Sequence, residues 1–266
     1  MKKIISAALA LTLALSLAGC AGAGNQAAKG DSDKAYVQDK GTLVVGITEF
    51  EPMDYTDASG EWIGFDADLA KAFAESLGVK VEFQIIDWDN KISELEGKTI
   101  DVVWNGMTLT DDVKAAMECS NPYFNNAQVV IVPADKAADY QTVDSVKELQ
   151  FAVENGSAGM EQVEALGADY TPVQDQATAL LEVSSGTADA AVIDYLMAAA
   201  TVGEGTSYAG LTYTVELNSE EYGVGFRKGS DLAGALNDFF QTAYEDGTMQ
   251  QIADTYGIGD KLVEQK

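Results

Sequence analysis

The stretch Thr42-Leu43-Val44-Val45-Gly46-Ile47-Thr48 is a short apolar run, and it predicts a buried strand. The helical pattern that follows decides the class. Residues 66 to 77 place Leu69, Phe73 and Leu77 on one face and close at Gly78, which predicts a helix. Residues 80 to 86 and 100 to 104 read as further strands, with a short helix over 90 to 96 between them. Strands separated by helical patterns indicate βαβ units and a largely parallel sheet. Working outward, the pattern resumes at Gln128-Val129-Val130-Ile131-Val132, which leads into the polar stretch 133 to 144. Strands at 151 to 153, 171 to 173 and 190 to 193 alternate with helical segments near 158 to 165 and 175 to 184. Gly223-Val224-Gly225-Phe226 returns as a strand. Ser230 then caps a helix carrying Leu232, Leu236, Phe239, Phe240 and Ala243, which ends at Gly247. The expected fold class is α/β, with two lobes joined by more than one crossover.

The chain has 266 residues, ample for two lobes, and 16 basic against 43 acidic residues give it a net charge of −27. Such a surface repels nucleic acid and does not grip anionic lipid. There is no histidine, so the commonest general base and the commonest transition-metal ligand are both missing. Neither a metal nor a cofactor is expected. Of the two cysteines, Cys119 lies between Met117 and Pro122 and reads as a buried structural thiol. Arg227 is the only arginine.

Met1-Lys2-Lys3, an apolar run to Leu17 and the ending Leu17-Ala18-Gly19-Cys20 form a secretory signal over residues 1 to 19, too short to span a membrane comfortably. The ending resembles a bacterial lipobox. That resemblance implies that Cys20 is lipid-modified, becomes the mature N-terminus and anchors the protein at the extracytoplasmic face of the cell membrane. Residues 20 to 40, rich in Ala, Gly, Ser, Asp and Lys, read as a flexible tether.

Ten short pieces then occur in an informative order. They include Phe50-Glu51-Pro52-Met53-Asp54-Tyr55, Gly64-Phe65-Asp66-Ala67-Asp68, Asp87-Trp88, Gly106-Met107-Thr108-Leu109-Thr110, Ser120-Asn121-Pro122-Tyr123, Ala188-Asp189-Ala190 with Asp194, and Tyr222-Gly223-Val224. Together, over about residues 41 to 257, they resemble the bacterial extracellular solute-binding proteins for polar amino acids, family 3. The resemblance implies a type II periplasmic-binding-protein fold, whose lobes close on a small solute and pass it to a membrane ABC permease. Lobe 1 is expected at 41 to 131 plus 223 to 266, lobe 2 at 132 to 222, and the hinge near 131 to 134 and 220 to 223. A monomer is expected.

The resemblance also places residues in the cleft. Phe50 and Trp88 would face the ligand with aromatic rings, although both could equally be core. Asn105, Gly106 and Thr108 form a strand-to-helix turn where backbone can approach a ligand. Asp194 would receive the ligand's ammonium, or simply cap the helix that follows it. Two positions depart from the family pattern. The arginine that clamps the ligand's α-carboxylate falls at Val113, followed by Lys114, and Glu154 stands where a lysine or glutamine is usual. One expectation is therefore an α-amino acid held by Asp194, with Lys114 and backbone amides near Gly106 or Ser157 taking its carboxylate. The other is a cationic or amine solute drawn to Glu49, Asp54, Glu154 and Asp194. A dehydratase-like enzyme on the same fold is the less favoured alternative, since nothing marks a catalytic pair.

Overall fold

The computed structural model describes residues 32–266, so the signal segment and Cys20 lie outside the described residues. The first sheet has the order Lys80–Ile85, Thr42–Ile47, Val102–Thr108, Glu220–Phe226, Glu118–Cys119, with Phe124–Asn126 also pairing on Glu220–Phe226. Thr42–Ile47 runs parallel to both its neighbours, while Glu220–Phe226 returns antiparallel. The second sheet has the order Tyr170–Val173, Phe151–Glu154, Ala190–Asp194, Gln128–Pro133, Leu211–Glu216. Its first three strands are parallel and its last two pair antiparallel, so each sheet is mixed rather than largely parallel.

Both sheets are covered by helices, and inner strands such as Gln128–Pro133 and Ala190–Asp194 are accordingly buried runs, whereas the edge strands Lys80–Ile85 and Leu211–Glu216 are only partly buried. On the first, Phe65–Ser76 and Leu232–Glu245 bring Phe73 and Phe240 against Trp104, whose ring lies 6.2 and 5.7 Å from theirs. Beneath the second, Val130, Val132, Phe151, Val153 and Val192 are all at most 1% exposed. Among the described residues, no helix is long and apolar enough to cross a membrane.

Two expectations need correction. Residues 33 to 40 are not tether but a helix, Asp33–Lys40, capped by Ser32 and closed at Gly41 in the left-handed region. Its apolar contribution is small, essentially Val37 with Tyr36 packed beside it, so periodicity could not show it. Charge fixes it instead: the Arg227 Nε donates to both Asp33 carboxylate oxygens at 3.1 and 3.0 Å. Arg227 Nη1 also donates to the carbonyls of Leu95 and Ile100, and Nη2 lies 3.6 Å from Asp101. The only arginine is thus a structural tie in the first lobe.

The second correction concerns the crossovers. Gln128–Pro133 already belongs to the second sheet and Glu220–Phe226 wholly to the first. The chain passes between sheets at Ala127 and at residues 217 to 219, not at 131 to 134 and 220 to 223.

Arg227→Met should leave Asp33 and Asp101 short of a buried cation. A loss of about 3 kcal/mol is expected in urea denaturation. Ligand affinity should be unchanged, because the group lies in the first lobe away from the cleft.

Candidate functional site

The parallel strands Phe151–Glu154 and Ala190–Asp194 end side by side, delivering Glu154 and Asp194 at their carboxyl ends. Open α/β sheets bind ligands at such an edge. Facing them are the loop after Thr42–Ile47, the turn at Trp88–Asn90 and the end of Val102–Thr108 from the first lobe. Together they enclose a cavity of about 290 Å³. Its walls include Phe50, Trp88, Asn105, Gly106, Thr108, Glu154, Ser157 and Asp194, the predicted positions apart from Lys114.

Several of these residues are already committed to their neighbours. Asn105 uses all of its hydrogen-bonding capacity: Nδ2 donates to the Thr48 carbonyl and Asp54 Oδ2, and Oδ1 accepts from Thr48 N and Oγ1. It therefore holds the Thr48–Asp54 loop in place. The Gly106 amide donates to Asp66 Oδ2 at 2.6 Å, so it is not free for a ligand carboxylate. The residue must be glycine, because its φ is +54° and a Cβ would lie 2.5 Å from the Phe50 ring. Phe50 itself packs edge-on to Tyr222 at 6.3 Å, partly wall and partly core. Thr108 Oγ1 donates to Glu220. Ser157 caps the helix Ala158–Leu166 by accepting from Met160 N, which leaves its hydroxyl hydrogen available.

Asp194 is held by three neutral donors. Asn126 Nδ2 and the Tyr222 hydroxyl reach Oδ1 at 2.6 Å each, and Gln176 Nε2 reaches Oδ2 at 2.5 Å. Among the described residues, no cation lies within 4.0 Å of its carboxylate. Burial, followed by the nearby Glu220, pushes its carboxyl up to about 7. Glu154 is 3% exposed, and its Oε1 has no hydrogen-bond partner among the described residues. Burial first, then Asp194, raises its carboxyl well above the usual range. Below the floor Asp66, also at about 7 through burial, and Asp54 form a second acidic pair.

Lys114 is not at the cavity. It is exposed at the end of the helix Asp111–Ala116 and lines an adjacent polar depression. Val113, where the resemblance places an arginine, does face the cavity with an apolar side chain. The cation that lines the cavity is Lys91, which the sequence reading missed. It is 7% exposed, with Nζ 4.9 Å from the centre of the Trp88 ring, and it donates to the carbonyls of Trp88 at 3.2 Å and Gly156 at 2.8 Å. Gly156 belongs to the second lobe. Its φ is +70°, and a Cβ there would lie 2.8 Å from Asp89, so the two lobes touch at this point. The i, i+3 spacing of Trp88 and Lys91 in Asp87-Trp88-Asp89-Asn90-Lys91 was the available signal, since one helical turn stacks such a pair.

The sequence profile of the bacterial extracellular solute-binding proteins, family 3, matches residues 43–259. The chain belongs to this family. It is 32% identical over 264 residues to the "Probable histidine-binding protein" of Neisseria gonorrhoeae, covering 96% of each chain. Among solved structures, a histidine-bound ABC uptake transporter substrate-binding protein from Streptococcus pneumoniae matches with a TM-score of 0.79, 28% identity and coverage of 88% of this chain and 99% of that one. An ancestral arginine-binding protein bound to arginine matches with a TM-score of 0.76 and 34% identity, covering 82% and 98%. The two lobes and the cleft are those of the type II periplasmic-binding-protein fold.

The raised acids fix a sign for pH dependence. Between the ordinary carboxyl value of 3.8 and about 7, folded Asp194 and Asp66 keep protons that the unfolded chain has released. The ligand-free protein should therefore gain stability as pH falls through this window and lose it as pH rises toward 7, by up to about 1.4 kcal/mol per pH unit for each group. Urea denaturation at pH 5, 6 and 7 measures the slope. Asp194→Asn should flatten it by one group's share, and an unchanged slope would contradict the burial argument.

Proposed function

We propose that this protein is the substrate-binding component of an ABC importer and captures an amino acid whose side chain carries positive charge, in the class of histidine, arginine, lysine or ornithine. The observation that carries the ligand class is the charge of the cavity. Its walls present Asp89, Asp112, Glu154, Glu161, Glu164 and Asp194 against the single cation Lys91. Desolvating carboxylates without a cation is costly, and a ligand that brings positive charge offsets that cost. In this reading Asp194, at the end of its strand, takes the α-ammonium, and Glu154, whose Oε1 has no partner among the described residues, takes the side chain. The ligands named for the bacterial relative and the two solved structures, histidine and arginine, are consistent with that class.

The rest of the reading follows from the sequence. Cys20 carries lipid and holds the protein at the extracytoplasmic face of the cell membrane. The two crossovers, at Ala127 and at 217 to 219, act as the hinge, and the closed monomer docks on its permease. The protein binds its solute and releases it unchanged.

A thermal-shift screen against the standard amino acids, ornithine, short diamines and betaines tests this. A ligand at 100 times its Kd adds about 2.7 kcal/mol of stability, which is readily seen. The expected hits are cationic amino acids. A response confined to acidic amino acids or betaines would overturn the ligand class, and a new product in the mixture would overturn the binding role. Affinity for the best hit should weaken as pH falls below about 7, because the ligand must displace a proton from Asp194. Asp194→Asn should weaken it at least 10-fold at pH 8, roughly what loss of one charge-assisted contact gives. An unchanged calorimetric Kd would remove Asp194 from the ligand contacts.

A further inference from the structure

We propose that Lys91 is the anchor for the ligand's carboxylate, in place of the arginine that position 113 lacks; this rests on the amino-acid reading above. An ammonium nitrogen has three N–H donors. Two of those on Lys91 are spent, on the Trp88 carbonyl at 3.2 Å and the Gly156 carbonyl at 2.8 Å. The third has no acceptor among the described residues, and the side chain lines the cavity. None of the ion pairs within 4.0 Å among the described residues includes Lys91, although the group is 7% exposed. Its direct partners are neutral carbonyls, Glu154, Asp89 and Glu161 act on it only from beyond ion-pair distance, and an anion at its free donor completes it.

The same cavity holds the complementary deficiency. Glu154 Oε1 is buried without a partner, yet it does not pair with Lys91. The cavity is therefore lined by a positive and a negative group that form no ion pair within 4.0 Å. A zwitterion satisfies both groups at once; an amine satisfies only the acidic one. Other candidates for the carboxylate are weaker. The Gly106 amide is occupied by Asp66, Lys114 lies outside the cavity and Arg227 is tied to Asp33. The start of the helix Ala158–Leu166 also faces the space and supplies partial positive charge near Gly156. Lys91 adds the full charge beside it. Trp88 fixes where that charge sits, because the ring under Nζ and its own carbonyl both hold the side chain inward.

The test compares an amino acid with its decarboxylated counterpart, using arginine against agmatine and histidine against histamine, by isothermal titration calorimetry. The wild-type protein should prefer the amino acid in at least one pair. Lys91→Met should reduce that preference about 10- to 100-fold, the value of one charge-assisted contact, while Lys91→Arg keeps most of it. Any loss common to both probes reports the hydrogen bond to Gly156, so the ratio of the two affinities is the readout. A ratio that survives Lys91→Met overturns the inference. So does loss of all binding by both Lys91 variants when their far-ultraviolet circular dichroism and melting curves match the wild type. A wild-type protein that binds neither member of either pair, or only the amines, overturns the amino-acid reading and this inference with it.

Discussion

The side chain of Asn126 stands between two carboxylates, donating from Nδ2 to Asp194 Oδ1 at 2.6 Å and to Glu220 Oε1 at 2.7 Å. Much of the molecule is organised about this bridge. Asn126 is the last residue of the first sheet before the chain crosses to the second, and Glu220 is the first after it returns. Asp194 is the acid that ends a strand of the second sheet at the cavity. Gln128 and Asn218 add further donors to Glu220, and Tyr222 adds one to Asp194. The two crossovers and the site's acid are thus one hydrogen-bonded unit. Charge-assisted hydrogen bonds to ionised acceptors are the strong ones. A change at the Asp194 carboxylate, such as neutralisation by a bound ammonium, therefore acts directly on the bonds that set the crossing geometry.

That unit contains no cation. Glu154 and Asp194 line the cavity from the second sheet, Glu220 stands beside Asp194 at the start of the returning strand, and Asp54 and Asp66 are buried in the first lobe; burial raises the carboxyls of Glu154, Asp194, Asp54 and Asp66. The ligand-free site is electrostatically incomplete by construction. Arg227, which could have compensated it, is committed on the far side of the first lobe to Asp33 and Asp101. The helix Asp33–Lys40 depends on that commitment, so fold and site draw on the same scarce resource.

The sequence alone carried most of the inner strands, because they are continuous apolar runs between well-marked helices, but not the antiparallel pairings that make both sheets mixed. It carried eight cavity residues because the motifs around Phe50, Trp88, Gly106 and Asp194 occur in a recognisable order. What it hid has physical causes. The helix Asp33–Lys40 buries little apolar surface, so no period marks it. Leu211–Glu216 buries only Leu211 and Val215 along an edge, and its partner is 78 or more positions away for each pair, a relation no local window contains. Lys114 suggests itself from sequence only because it follows position 113, and nothing in a linear reading beyond the spacing from Trp88 draws attention to Lys91. In the folded chain Asp112 and Val113 line the cavity, while Lys114, one position on, is exposed and lines the adjacent depression. Asn105 was read as a contact from its place in a turn. Only the three-dimensional partners show that its amide is used up holding Thr48 and Asp54.

Replacing an arginine by a lysine elsewhere in the cleft changes more than the address of the charge. A guanidinium reads a carboxylate through two parallel bonds and fixes its plane, whereas an ammonium is a point charge with freely disposed donors. Lys91 also stands beside the contact between the lobes, where its carbonyl partner Gly156 belongs to the opposite side. A carboxylate bound there meets the closing surface itself, not the floor of one lobe. Val113 meanwhile gives the floor an apolar side chain where a charged one would have filled the space. The combination lines one cavity with an apolar side chain at Val113, a point-like cation at Lys91 and the acids Glu154 and Asp194. A carboxylate met by an ammonium is held without a fixed plane, which is the sense in which this cleft departs from an arginine-clamped one.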